Sequence, residues 1–341
     1  MSTAVVYDPR FLLHNRPGHV ECRERLEATM QVLDQRGLLD RLQEVQPTAV
    51  DTTHLLSVHH EHYVKLVKEV AERGGGNLDP DTYLNDQSYD VALLAAGGLV
   101  NLVETVLSGD ADNGFALVRP PGHHALPGRG MGFCLFNNVA VAANYVLEHR
   151  GLSRVLIVDF DLHHGNGTQE VFYATDKVLY FSTHQYPYYP GSGHWSEMGQ
   201  GEGEGFSVNV PLPAGVGDEG YGRIFDEVLY PVAERYHPEI VLVSAGYDAH
   251  WADPLGMMQL SATGYGYLTS VLKEMAAEFC EGRLVFTLEG GYDLPALSNS
   301  IAATLQTLLG VEVEDPLGPS TRAEVLIDDI IVHVKGAHRL L

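Results

Sequence analysis

The 341 residues carry 21 Lys and Arg against 45 Asp and Glu, a formal net charge of −24. Charged residues make up only 19% of the chain, against about 25% in a typical soluble domain, so the acidity reflects scarce cations rather than an acidic tail. This balance excludes a nucleic-acid surface and an anionic membrane surface, both of which need clustered Lys and Arg, while the 45% apolar content excludes a disordered chain.

Met1 to Arg10 lacks a basic n-region and a long apolar h-region, so no signal peptide is expected. The first strand is predicted over Thr3–Tyr7, followed by helical patterns over Glu24–Arg36, His59–Arg73 and Ser88–Leu107. The weakly polar stretch Val91–Val103 is too short to span a bilayer and is interrupted by Asn101. Next come a strand over Gly114–Arg119, a helix over Asn138–Arg150, and strands over Val155–Phe160, Val178–Ser182 and Phe206–Val210. A helix over Asp218–Arg235, a strand over Ile240–Ser244, a helix over Thr263–Cys280, a strand over Leu284–Leu288 and a helix over Ala296–Leu309 complete the series. Gly37, Gly74, Gly109, Gly151 and Gly310 stand where C-terminal helix caps belong. Most of the strands are continuous apolar runs, as expected for a sheet buried on both faces. The expectation is one α/β domain over 1–341, an open, mostly parallel sheet flanked by helices on both faces. The tail 311–341 returns to apolar/acidic patterning over Val325–Val334, suited to covering the fold or to a homo-oligomer contact. Cys22, Cys134 and Cys280 form no CxxC pair, so a reducing, cytoplasmic setting without a disulfide framework is expected.

In such a sheet, ligands bind outside the carboxyl ends of the strands. Polar groups gather after five of the predicted strands: Arg119-Pro-Pro-Gly-His-His124, Asp159-Phe-Asp-Leu-His-His-Gly-Asn-Gly167, Ser182-Thr-His184, Ser244-Ala-Gly-Tyr-Asp248 with Asp253, and Glu289-Gly-Gly-Tyr292. A helix cap would explain any one of these turns but not all five.

Asp161 and His163 stand one residue apart on an extended segment, so both side chains can reach one ion. Asp248 is the best third ligand. One imidazole and two carboxylates suit zinc or another first-row divalent ion, and three protein ligands leave a position open for water and substrate. A structural reading of Asp-x-His as a polar turn carries even weight for the triplet alone, and little once His123, His124 and Asp248 fall at the same edge. His123 and His124, on a rigid Pro-Pro-Gly loop, supply a base for a metal-bound water, with Asp159 and Asn166 as orienting partners. Tyr292 can donate to an oxyanion, although most tyrosines simply pack. Val58-His-His-Glu-His62 reads as a mostly solvated surface.

Together these motifs, with Asp253-Pro-Leu-Gly256, resemble the zinc-dependent histone deacetylase family over about His14 to Leu309. The wording is closest to the class II branch and its bacterial histone-deacetylase-like and acetylpolyamine amidohydrolase relatives. The resemblance implies the arginase/deacetylase fold and removal of acetyl or other acyl groups from lysine side chains, with acetylpolyamine hydrolysis as the alternative. It implies one catalytic zinc on Asp161, His163 and Asp248, His124 as general base and proton donor, His123 as its partner on Asp159, and Tyr292 as oxyanion donor. Gly132 and Phe133 resemble one wall of an acyl-lysine tunnel, Tyr189 the other, and Leu255 stands where some polyamine-specific relatives place a glutamate. One or two potassium ions are implied: an inner site on Asp159, Asp161, His163, Ser182 and Thr183, and an outer one on Phe172, Thr175, Val178 and Phe206. Asn166 departs from the class I pattern, where an aspartate supports the base. A binuclear manganese ureohydrolase would want more carboxylates near Asp248, where the chain has Asp248-Ala-His250, and a catalytically dead scaffold would not fill every expected position.

Overall fold

Strand-forming runs this apolar can satisfy their backbone only by pairing with one another under a cover of helices. A computed structural model, which describes residues 2–340, shows that arrangement. The strands are β1 (Thr3–Val6), β2 (Leu42–Glu44), β3 (Gly75–Asn77), β4 (Tyr83–Asn85), β5 (Asn113–Ala116), β6 (Val155–Asp159), β7 (Val178–Gln185), β8 (Ser207–Leu212), β9 (Ile240–Ala245) and β10 (Leu284–Leu288). Eight of them form one sheet in the order β2-β1-β5-β10-β9-β6-β7-β8. Every pairing in it is parallel. Strands β3 and β4 form a separate antiparallel ribbon. All residues of β6, β9 and β10 are buried, whereas edge strand β2 is mostly exposed. The expected α/β architecture, an open parallel sheet with flanking helices, is therefore present.

The strand series fits the prediction to within a few residues at each end; β2, β3 and β4, three residues each, are too short to give a pattern. The five cap glycines all adopt positive φ, from 61° at Gly37 to 96° at Gly74. Ser88–Leu107 is long and apolar enough to cross a membrane by length and composition, but it is a core helix here, with 67% of its most apolar window buried. The helix predicted over Asp218–Arg235 is continuous to Tyr236, with a π turn over Phe225–Leu229. Pro231 follows that turn; it lacks an N–H and its ring would crowd the carbonyl one turn back, a cause of local widening. Three further α-helices, Thr52–Leu56, Asn166–Phe172 and Asp328–Ala337, lie outside the expected series. The last buries Ile331 and Val334, so the tail packs on the body of the fold.

The sheet order decides where chemistry can occur. Strands β9 and β10 lie between β5 and β6, so four neighbouring strands deliver their following loops to one place. Register holds them level: Asp159 stands opposite Ser182 on one side and Ser244 on the other, and Ser244 opposite Thr287.

Candidate active site

Beyond β6 the chain stays extended, so Asp161 and His163 project to the same side. The backbone N–H of His163 donates to Asp161 Oδ1 at 2.9 Å, and that of Leu162 donates to Asp248 Oδ1 at 2.9 Å. The two loops are thereby locked together. His163 Nδ1 lies 3.2 Å from Asp161 Oδ1 and 3.0 Å from Asp248 Oδ2. One ligand atom from each of the three residues falls within 4.8 Å of the other two.

Two carboxylates buried this close need a cation. Burial opposes a charge on His163, but its contacts with Asp161 and Asp248 prevail and push its pKa up to about 9. The backbone is built around the cluster: a Cβ on Gly246 would stand 2.0 Å from Asp161 Oδ2, and one on Gly290 would stand 2.4 Å from Asp248 Oδ2. The Gly290 N–H donates to Asp161 Oδ2 at 2.8 Å. Two carboxylate oxygens and one imidazole nitrogen, with further coordination positions left over, fit a catalytic first-row divalent ion.

The loop after β5 brings the paired histidines alongside. His123 Nδ1 lies 3.0 Å from Asp159 Oδ2, which also accepts from the Tyr180 hydroxyl at 3.0 Å. His124 Nδ1 lies 2.8 Å from Asn166 Oδ1. The two rings are 4.0 Å apart. Burial opposes protonation of His123, yet the charges of Asp159 and Asp161 raise its pKa to about 10. Burial, then the neighbouring His123 and His163, push His124 well below its ordinary value. One imidazole is therefore disposed to be charged and the other neutral. Asp159 and Asn166 are the partners expected from the sequence.

Glu289, the first residue of the Glu289-Gly-Gly-Tyr292 turn, holds this loop in place. Its Oε2 accepts from the N–H of Gly122 at 2.7 Å and of His123 at 3.2 Å, and its Oε1 accepts from Ser244 Oγ at 3.2 Å. Burial pushes its pKa up to about 7.

Tyr292 lies on the loop after β10. Asp253 Oδ2 accepts from its N–H at 2.6 Å, and Asp253 Oδ1 from the N–H of Leu255 at 2.9 Å, which joins the tyrosine loop to the Asp253-Pro-Leu-Gly256 turn. Arg25 braces the other side, donating to the carbonyls of Gly291 at 2.7 Å and Glu289 at 2.5 Å, with its guanidinium 5.2 Å from the Tyr292 ring centre. Glu21 holds Arg25 and Arg119 in turn. Neither Arg25 nor Glu21 carries any local sequence signal.

Aromatic rings line the approach. Phe133 meets Tyr292 edge-on at 5.7 Å, and Tyr189 meets His124 edge-on at 5.2 Å. Gly132, at φ 56°, would place a Cβ 2.3 Å from His124 Cδ2, so this wall can close only on glycine. Tyr188, not foreseen, stacks on His163 at 5.8 Å and donates to the carbonyl of the half-buried Leu255 at 3.0 Å.

The residues expected to hold potassium fall at the ends of β6 and β7 and ahead of β7 and β8. Among the described residues, Thr183 Oγ1 is buried without a hydrogen-bond partner, whereas Ser182 Oγ is 2.9 Å from His184 Nδ1. The Phe172 carbonyl accepts from Thr175 and that of Phe206 from Tyr180. Of the Val58–His62 stretch, His60 and His62 are solvated as expected. His59 is buried: its Nδ1 lies 3.1 Å from the carbonyl of Leu126, and its Nε2 accepts from the Asn137 N–H at 2.9 Å.

A family profile described as the histone deacetylase domain matches residues 19–308. A probable deacetylase of Archaeoglobus fulgidus is 44% identical over 297 residues, covering 86% of this chain and 82% of its own. A histone deacetylase-like amidohydrolase of Pseudomonas aeruginosa is 39% identical over 305 residues, covering 88% and 80%. The crystal structure of the HDA15 HD domain superposes with a TM-score of 0.92 at 38% identity, over 100% of this chain and 95% of that one.

Proposed function

The chain belongs to the histone deacetylase family and is a hydrolase of the deacetylase type, and from that premise we propose that it removes acetyl or other acyl groups from lysine side chains with one zinc ion. Asp161, His163 and Asp248 would hold the ion. When bound, it supplies Lewis acidity that renders a water nucleophilic near neutral pH and polarises an acyl carbonyl.

The chain's own groups do the rest. His124, donating from Nδ1 to Asn166, keeps Nε2 free to take a proton from the attacking water and hand it to the departing amine. His123, charged against Asp159, balances the carboxylates beside it. Burial keeps the Tyr292 phenol protonated, so it donates to the oxygen on which charge develops. Phe133 and Tyr189 flank the alkyl stem of the lysine.

The observation that carries this reading is the Asp161–His163–Asp248 cluster beside a histidine pair whose outer nitrogens are both committed. Metal analysis of the purified protein, with hydrolysis of an acetyl-lysine peptide, tests it. One equivalent of zinc is expected, with activity lost on chelation and in His124→Ala; activity surviving both treatments overturns the scheme. Leu255, which brings no carboxylate to the rim, favours acyl-lysine over acetylpolyamine, and a panel of acetyl-lysine peptides, longer acyl-lysines and acetylpolyamines decides between them. We further read 1–341 as one deacetylase domain, the potassium residues named above as cation sites, and the three unpaired cysteines as fitting a reducing cytoplasm.

A further inference from the structure

At the end of the sheet opposite the metal ligands, where β6, β7 and β8 begin, a groove of about 1010 Å³ opens. Leu179, Phe206, Val232 and Tyr236 give it apolar walls. Arg154, Lys177, Arg235 and Arg339 line it as well, with two carboxylates, Asp176 and Glu204. This gathering stands out in a chain with only 21 Lys and Arg. Arg150, Arg223 and Arg283 are each ion-paired. Among the described residues, none of the four groove cations is. Two of them are instead fixed by backbone: Arg154 Nε donates to the carbonyl of His237 at 2.6 Å, and an Arg235 nitrogen to that of His338 at 2.8 Å. These bonds orient the guanidinium groups, and the one carboxylate beside Arg154, Glu239, is taken up by the N–H groups of Ser153 and Arg154 at 2.7 and 2.9 Å.

A second observation comes from the groove lining. His338 is 4% exposed and, among the described residues, neither of its ring nitrogens has a partner of good hydrogen-bond geometry, the Gly205 backbone being the polar group beside it. Buried polar groups are almost always paired, so a ring with both nitrogens unmet marks a place where a partner belongs.

We propose that this groove binds an organic polyphosphate, its phosphates set among Arg154, Lys177, Arg235 and Arg339 and its apolar or aromatic body on Leu179, Phe206 and Val232, with His338 hydrogen-bonded to it. The cations outnumber what a monoanion needs, and the apolar walls would be idle against inorganic phosphate. A concavity of this size suits one small molecule rather than a nucleic-acid backbone, which calls for an extended cationic stripe. The site uses none of the zinc ligands, the histidine pair or Tyr292, and shares only Phe206 with the residues read as potassium sites.

Calorimetric titration of the full chain with ATP, coenzyme A, inorganic triphosphate and adenosine tests this. ATP or coenzyme A should bind saturably, with affinity falling as salt rises. Inorganic triphosphate should bind about tenfold more weakly, and adenosine not at all. The double variant Lys177→Gln/Arg339→Gln, whose side chains make no hydrogen bond among the described residues, should weaken the tighter ligand by about tenfold or more. Its acetyl-lysine hydrolysis and thermal midpoint without ligand should be unchanged. Failure of both ATP and coenzyme A to saturate at millimolar concentration overturns the proposal. So does a double variant with full affinity, which would place binding elsewhere, and so does triphosphate binding as tightly as the organic ligands.

Discussion

His124 leans on an amide where a carboxylate could have stood. An amide oxygen fixes the tautomer but adds no charge, so the imidazole stays neutral in its buried setting. Asn166→Asp would place a negative charge 2.8 Å from Nδ1 and favour the imidazolium, by about one pKa unit or more. A protonated base cannot accept a proton, so the acid limb of kcat/KM should move to higher pH; a limb that stays put in the pH–rate profile refutes this account of the base. At Tyr292 the test is the hydroxyl alone. Tyr292→Phe keeps the ring against Phe133 and should lower kcat by about 10²–10³-fold with KM little changed; wild-type turnover would remove the tyrosine from the oxyanion role. The metal ligands, the histidine pair and Tyr292 were readable because their chemistry demands particular residue types at fixed spacings. The roles of Glu289, Asp253 and Arg25 were not, although the first two stand in the strand-end motifs, because most of their partners are backbone groups, N–H for the first two and carbonyl for the third. Such partners leave no trace in residue identity.

At the scale of elements, the tail is held by polar anchoring as well as by apolar contact. Glu324 accepts from the N–H groups of Gly217, Glu219 and Gly220 at 3.0 to 3.1 Å, capping the helix that begins at Asp218. Gln259 donates to the carbonyls of Gly215 and Ala323, and Trp251 Nε1 to that of Gly318. Glu324→Ala removes an N-terminal cap and an anion from a helix N-terminus together, which should cost about 1–2 kcal/mol. A thermal midpoint lower by a few degrees and faster proteolytic cleavage within 311–327 are expected; an unchanged midpoint with an uncut tail counts against the anchoring role. The apolar/acidic pattern over Val325–Val334 suited either a cover for the fold or a subunit contact, and the helix there buries Ile331 and Val334. Its docking by a carboxylate reaching back more than a hundred residues lay beyond any local pattern. The short helix at Asn166 escaped notice because Gly165-Asn-Gly167 reads as a turn.

For the whole molecule, acid stability is set by buried groups that resist titration. Burial holds His14 down to about 3 and His59 to about 4, against 6.5 in an open chain. Below pH 6.5 the unfolded chain takes up protons that the folded one refuses. Their contribution should therefore be flat above pH 6.5 and fall from there toward pH 4, by about 1.4 kcal/mol per pH unit for each such histidine, whereas that of His123 and His163, raised to about 10 and about 9, is lost as pH rises above 6.5. Burial opposes the charge on Glu21 too, but Arg119 outweighs it and lowers its pKa to about 2; its contribution is present above pH 4.5 and is lost toward pH 2. Urea midpoints measured against pH should decline less steeply between pH 6.5 and 4 in His59→Gln than in the parent, and equal slopes would contradict this assignment. Alternating strands and helices made the parallel sheet legible. The insertion of β9 and β10 between β5 and β6 was not, since strand order is settled by long-range packing rather than by any stretch of sequence.

That insertion governs the order in which the molecule can be completed. The bond from Leu162 to Asp248 closes a span of 86 residues, and that from Gly290 to Asp161 a span of 129. Synthesis supplies β5 and β6 long before the two strands that must slide in between them, so the emerging chain has both banks of the site and no bridge. Contacts of such separation form late and slowly. The proposed ion, needing Asp248 as well as Asp161, would then bind only a finished molecule and stabilise it by mass action, so that its capture would double as proofreading of the sheet.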